Sequence, residues 1–119
     1  MSDAHEHIDK LMQELRRGTV TIGALSQLYE PQYGYSLVTT LKEKGIRVEP
    51  GTLYPLLRRL EKQGLLESKW DTNETRPRKY YLLSNTGKKV LDSLRVEWQS
   101  IVTSMNNVMK ERGEEDGDD

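Results

Sequence analysis

Two stretches of this 119-residue chain carry side chains suited to gripping a polyanion rather than to making bonds. In the first, a helix turning about 100° per residue puts Leu53, Leu56, Leu57 and Leu60 on one side. Gly51, Pro55, Arg58 and Lys62 then fall opposite, flanked by Thr52, Tyr54 and Arg59. Such a face offers donors to base edges and phosphates, with Arg58 and Arg59 the strongest. Tyr54 has two readings, a phenol donating to a phosphate or a ring packed on the preceding helix. The second stretch clusters Arg76, Arg78 and Lys79, with Lys69 on a facing strand. Basic hairpin tips of this kind touch phosphates or the minor groove. Tyr35, beside Gly34 at a helix start, either joins backbone amides around a phosphate or packs locally.

Catalytic groups are scarce. There is no cysteine, so disulfides and thiolate metal sites are excluded. His5 and His7 are the only histidines, at a spacing that does not share a helical face. No Gly-rich phosphate loop appears. We expect no enzyme, no metal and no cofactor. The formal net charge of −1 hides an asymmetry. Residues 111–119 hold six carboxylates and one arginine, which leaves the preceding body mildly basic. Between Arg47 and Lys79 there are eight basic and five acidic residues, a modest local excess. No apolar run approaches the roughly 18 residues of a membrane span, and the N-terminus lacks a signal-peptide core, so a cytoplasmic address is expected.

The elements that must position these groups follow from periodicity and punctuation. Ile8, Leu11, Met12 and Leu15, then Ile22, Leu25, Leu28 and Tyr29, have helical spacing. They read as one helix weakened at Gly18, or two in line, ending before Pro31. Leu37, Val38 and Leu41 mark a second helix over 34–44, closed by Gly45. Pro50 suits a first helical position and Gly64 a helix end, which brackets the third helix. Pro55 falls early in it, and Glu49 is a weak N-cap. Residues 65–70 and 78–83 read as strands joined by a polar tip over 71–77, a small β-hairpin. Tyr80 and Tyr81 alternate faces there, one for the core and one beneath the third helix. Ser84 then caps a last helix reaching about Met109.

On that last helix Leu91, Leu94, Trp98, Ile101, Met105 and Val108 step by threes and fours, a heptad seam. A domain this small cannot cover such a seam alone, so the natural partner is a second copy. The expected interface holds Ile8, Leu11 and Leu15, the seam residues and Val102.

Two blocks are specific enough to name a resemblance. The first is Pro50-Gly51-Thr52-Leu53-Tyr54-Pro55-Leu56-Leu57-Arg58-Arg59-Leu60-Glu61, preceded by Tyr33-Gly34-Tyr35 and followed by Gly64-Leu65-Leu66. The second is Arg78-Lys79-Tyr80-Tyr81-Leu82-Leu83, with Trp70 before it and Gly87 after it. Over about residues 17–94 the chain resembles the PadR family of bacterial transcriptional regulators. Glu49 stands where such families place a small hydroxyl cap, and Ser84 where a threonine is more usual. The resemblance implies a dimeric winged-helix repressor whose DNA affinity answers to a small molecule. Trp98, with Ile101 and Met105, is then the candidate slot for a planar aromatic or drug-like effector, the other reading being interface core.

The expected architecture is mainly α with a small β-hairpin (α+β). A winged helix-turn-helix occupies residues 1–83, a dimerisation helix 84–110 and a disordered acidic tail 111–119. The expected function is a sequence-specific repressor on a pseudo-palindromic operator. Two alternatives remain: a winged-helix protein-interaction module, for which Arg58, Arg59 and a basic wing serve no purpose, and a repressor without any effector.

Overall fold

In the computed structural model, which describes residues 3–73 and 75–110, helix α1 is unbroken over Asp3–Ser26. Gly18 lies within it on an exposed face. A glycine there costs only about 1 kcal/mol, too little to divide a helix of six turns. The chain then turns into β1 (Gln32–Tyr33), α2 (Gly34–Glu43) and α3 (Pro50–Lys62). Strands β2 (Leu66–Asp71) and β3 (Arg78–Leu83) follow, and α4 (Asn85–Val108) closes the order.

The punctuation works as its chemistry requires. Pro50 opens α3 behind Glu49, whose side chain makes no cap bond. Gly64 closes it with φ at +82°, a conformation costly for any residue with a Cβ. There its N–H bonds Glu61 O and the next N–H bonds Leu60 O. Ser84 caps α4 by accepting from Gly87 N at 2.9 Å, while its own hydroxyl donates to Gly64 O. One serine therefore joins the end of α3 to the start of α4.

The expected hairpin is present as β2 and β3, and the short β1 adds a third strand, giving the order β1-β3-β2, all antiparallel. Gln32 pairs with Tyr81 and Tyr33 with Tyr80. Pairing of β2 with β3 runs outward to Asp71 and Arg78, so the tip is shorter than expected and spans 72–77.

Leucines fill the core. Leu25, Leu28, Leu37, Leu41, Leu53, Leu57 and Leu91 are essentially inaccessible, and Leu56, Leu60, Leu66, Tyr81 and Leu83 complete the cluster. The four leucines of α3 all point into it, and Gly51, Thr52, Pro55, Arg58, Arg59 and Lys62 all face outward. Leu91 corrects the expected dimer seam. At 0% exposure it belongs to the chain's own core, because Ser84 and Gly87 dock the first turns of α4 against Gly64 and Leu65. Leu94 is half-buried against the same cluster.

Beyond this core two helices run on uncovered. The radius of gyration is 18.4 Å, against about 13.5 Å for a compact chain of this length. Ile8, Leu11 and Leu15 of α1 are exposed, as are Trp98 (38%), Ile101 (43%), Met105 (42%) and Val108 (75%) of α4. Val102 is half-buried. The acidic tail lies outside the described residues.

Candidate nucleic-acid interface

Helices α2 and α3 form the two arms of a helix-turn-helix, and β2 and β3 extend beside α3 as a wing. Between the outer face of α3 and the wing lies a groove lined by Gly34, Tyr35, Tyr54, Arg58, Trp70, Arg78, Lys79 and Tyr81. The sequence-expected residues Tyr35, Tyr54, Arg58, Arg78 and Lys79 thus meet in one place. Thr52, Pro55, Arg59 and Lys62 lie on the exposed side of α3, and Arg76 is exposed at the wing tip.

The Tyr54 ring packs as one of its two readings expects. It lies against Gly34, where a Cβ would come within 2.8 Å of Tyr54 Cε1. The glycine lets α3 and the start of α2 approach closely, and Tyr54 is half-buried there. Tyr81 is the core member of the tyrosine pair. Tyr80 faces the other way and meets Tyr33 edge-on, with centroids 6.2 Å apart.

Lys79 has a partner within the chain. Its Nζ lies 3.2 Å from Glu61 Oε1 on α3 and 5.2 Å from the centroid of the Tyr81 ring. Glu61 also accepts from the Ser68 hydroxyl. That hydrogen bond first, and the Lys79 ammonium after it, hold the Glu61 carboxyl below its ordinary pKa. Burial is the largest single influence on Lys79 and works against its charge, but the bond and charge of Glu61 together with the Tyr81 phenol outweigh it, and the amine is raised. The pair ties the wing to the last turn of α3.

Arg78 is held as well. Its guanidinium carbon sits 4.4 Å from the centroid of the Tyr33 ring, and Nη1 donates to Tyr35 Oη at 2.5 Å. Tyr33 in turn donates its hydroxyl to Asp71 Oδ2. That bond, then the Asn73 N–H and the nearby Arg78 charge, keep the Asp71 carboxyl below its usual range. Sequence reasoning gave no site role to Tyr33, Asp71, Glu61 or Ser68, since each acts on another side chain of the site. Trp70 was noted only as part of the resemblance. At 62% exposure on the groove, it is an aromatic surface the sequence did not single out.

Trp98 lies apart from this face. It lines a groove of about 570 Å³ between α1 and α4, with Thr19, Ile22, Ile46 and Arg95. Ile101 and Met105, grouped with it from sequence, do not line that groove; they lie further along the exposed row of α4. Among the described residues no cluster of His, Cys, Asp or Glu is placed to hold a metal ion, and no helix is long and apolar enough to cross a membrane.

Two helices in a helix-turn-helix, a flanking two-stranded wing and an outward row of cations on the second helix define a winged-helix regulator. Residues 22–93 match the Transcriptional regulator PadR-like family, and the chain belongs to it, among regulators rather than enzymes. It is 37% identical over 81 residues to the Transcriptional regulator Rv3488 of Mycobacterium tuberculosis, covering 67% of this chain and 76% of that protein. The crystal structure of a PadR family regulator from Eggerthella lenta superposes with a TM-score of 0.83 at 44% identity, over 92% of this chain and 98% of that one. Bacillus subtilis PadR, solved in complex with operator DNA, shares the fold at a TM-score of 0.61 and 22% identity, over 68% of this chain and 48% of that one.

Proposed function

We propose that the chain acts in the cytoplasm as a homodimeric, sequence-specific DNA-binding repressor, with α3 as its major-groove helix and the wing on the flanking backbone. The observation that carries this reading is the two-sidedness of α3. Its leucines are sunk in the core while Thr52, Arg58, Arg59 and Lys62 stand exposed on the opposite face. A helix presented this way, beside a wing bearing Arg76 and Arg78, fits a major groove in width and chemistry. Family membership and the operator complex of Bacillus subtilis PadR support the same reading.

The uncovered rows on α1 and α4 support dimerisation through Ile8, Leu11, Leu15, Trp98, Ile101, Val102, Met105 and Val108. A twofold protein demands a pseudo-palindromic site with half-sites about one helical turn apart. Selection of bound duplexes from a random-sequence pool, followed by footprinting, tests this. Recovery of a palindromic consensus is the expected result, and recovery of no consensus speaks for a protein-interaction module instead.

Release by a planar aromatic effector is a second part of the reading. It is favoured by the α1–α4 groove, where the half-exposed Trp98 ring faces Ile22 and Ile46. Because the groove borders the exposed row of α4, a ligand there alters the separation of the two α3 helices by its differential affinity for the two shapes. Failure of every planar compound to shift the melting temperature would leave a repressor without an effector.

A further inference from the structure

The wing is fastened to the helix-turn-helix at Arg78 by groups from three other elements. Tyr33 of β1 and Tyr35 of α2 stack nearly parallel, with centroids 5.8 Å apart and 6° between planes. The Arg78 guanidinium carbon lies 4.4 Å from the first ring's centroid and 5.7 Å from the second's. Asp71, the register partner of Arg78 across the β2–β3 ladder, holds the Tyr33 hydroxyl, and the Asn73 N–H donates to its other oxygen at 3.1 Å.

We propose that Tyr33 and Asp71 are positioning residues that hold Arg78 and Tyr35 as a paired donor for one phosphate of the DNA backbone. The proposal rests on the DNA-binding reading above and adds to it how one backbone contact is built. The Tyr35 oxygen accepts from Arg78, so its own proton remains to be donated, and it has no acceptor among the described residues. Tyr35 is 51% exposed on the groove it shares with Arg58 and Trp70. A guanidinium N–H and a phenol O–H side by side match two oxygens of one phosphate, and the cationic donor polarises the phenol toward an anionic acceptor.

The clamp also has an energetic purpose. A free arginine loses much side-chain entropy when it binds a phosphate. Here the Tyr33 ring fixes the guanidinium plane, and the bond from Tyr33 to Asp71 fixes the ring. The ordering cost is met on folding, before DNA arrives. Asp71 acts through Tyr33, which is why a carboxylate can sit within a DNA-facing wing without cancelling it.

The test is a salt series of binding to two duplexes: the consensus selected from the random pool and a scrambled sequence of equal length. Arg78→Ala is expected to weaken both by about tenfold or more, as for a lost charged hydrogen bond. It should also flatten the slope of log K against log salt by about 0.9, the signature of one phosphate. Tyr35→Phe and Tyr33→Phe should each weaken both duplexes several-fold at an unchanged slope. In the Arg78→Ala background, Tyr33→Phe, which changes no charge, should do nothing further, which a merely structural role would not produce. Melting curves of each variant confirm folding, and Tyr33→Phe keeps the ring and its packing. An Arg78→Ala variant with the wild-type slope overturns the proposal, and so does a Tyr33→Phe effect that persists in full without Arg78. Arg58→Ala separates the two levels. If it weakens only the consensus while Arg78→Ala changes nothing, DNA binding stands and the clamp falls. If the wild type binds neither duplex, both fall.

Discussion

Lys79 Nζ and Glu61 Oε1 lie 3.2 Å apart, so the inner strand of the wing is bound to the last turn of the helix it flanks. The two residues are far apart in sequence, and the link joins the wing to α3. A lysine that reads from sequence as a DNA contact is thereby committed to an internal partner.

That link has a pH signature. The Glu61 carboxyl is lowered, so its contribution to stability is complete above the ordinary glutamate range and is lost as pH falls through its lowered folded value. The Lys79 amine is raised, so its contribution is complete below the ordinary lysine range and fades as pH climbs through its raised value. Between these limits the pair is flat. Glu61→Gln should therefore cost about 0.2–1 kcal/mol at neutral pH, the scale of a part-exposed pair. The difference from wild type should shrink on acidification below the carboxylate range. Thermal melts across pH check both statements.

The cations of the DNA face should separate by role. Arg58→Ala should cost about 1–3 kcal/mol on the consensus site and relax preference at one base pair. Arg76→Ala should weaken all sequences together, as a phosphate contact does. Lys79→Ala should cost less binding than Arg76→Ala, because its charge is already spent on Glu61. Gel-shift titrations against consensus and scrambled duplexes measure all three.

Assembly and folding should come apart along α4. Trp98→Ala combined with Ile101→Asp leaves the buried leucine core intact and should yield monomers or unfolded chain by sedimentation. Leu91→Ala removes a fully buried side chain from the chain's own core. It should cost about 2–5 kcal/mol of stability, visible as a large fall in melting temperature. A wild type that sediments as a folded monomer at high concentration would remove the dimer from the proposed function.

Trp98 should report on ligands. Trp70 is highly exposed on the wing and gives a background signal, so Trp70→Phe isolates the second tryptophan. Titrating that variant with planar dyes should quench its emission, and the same dyes should release DNA. A tenfold loss of DNA affinity requires only about 1.4 kcal/mol of difference between the two shapes. Quenching without release makes the groove a binding site but not a switch.

How much of this was legible in the sequence depends on the range of the forces involved. The helices, the two long strands and the outward row Thr52, Arg58, Arg59 and Lys62 follow from local periodicity, from Pro50 at a helix start and from Gly64 at a helix end. Each of these acts within a few residues, so one chain segment is enough to reveal it. Strand β1 left no such trace, because two residues have no period and Gln32 and Tyr33 become a strand only when β3 is beside them.

The seam of α4 shows the boundary most clearly. Leu91 and Trp98 stand a heptad apart on one apolar stripe, and the sequence by itself determined that the stripe must be covered. It could not say by what. Docking of α4 at Ser84 and Gly87 sinks Leu91 into the core of its own chain and carries Trp98 past the edge of that core. The same holds for Arg78 and Lys79, two neighbouring cations that look alike in sequence. The alternation of β3 turns Lys79 toward Glu61 on α3 and Arg78 toward Tyr33 and Tyr35 on the other side. A side chain's charge and size are local properties, but its partner is chosen by which distant element the fold sets within a few ångströms of it.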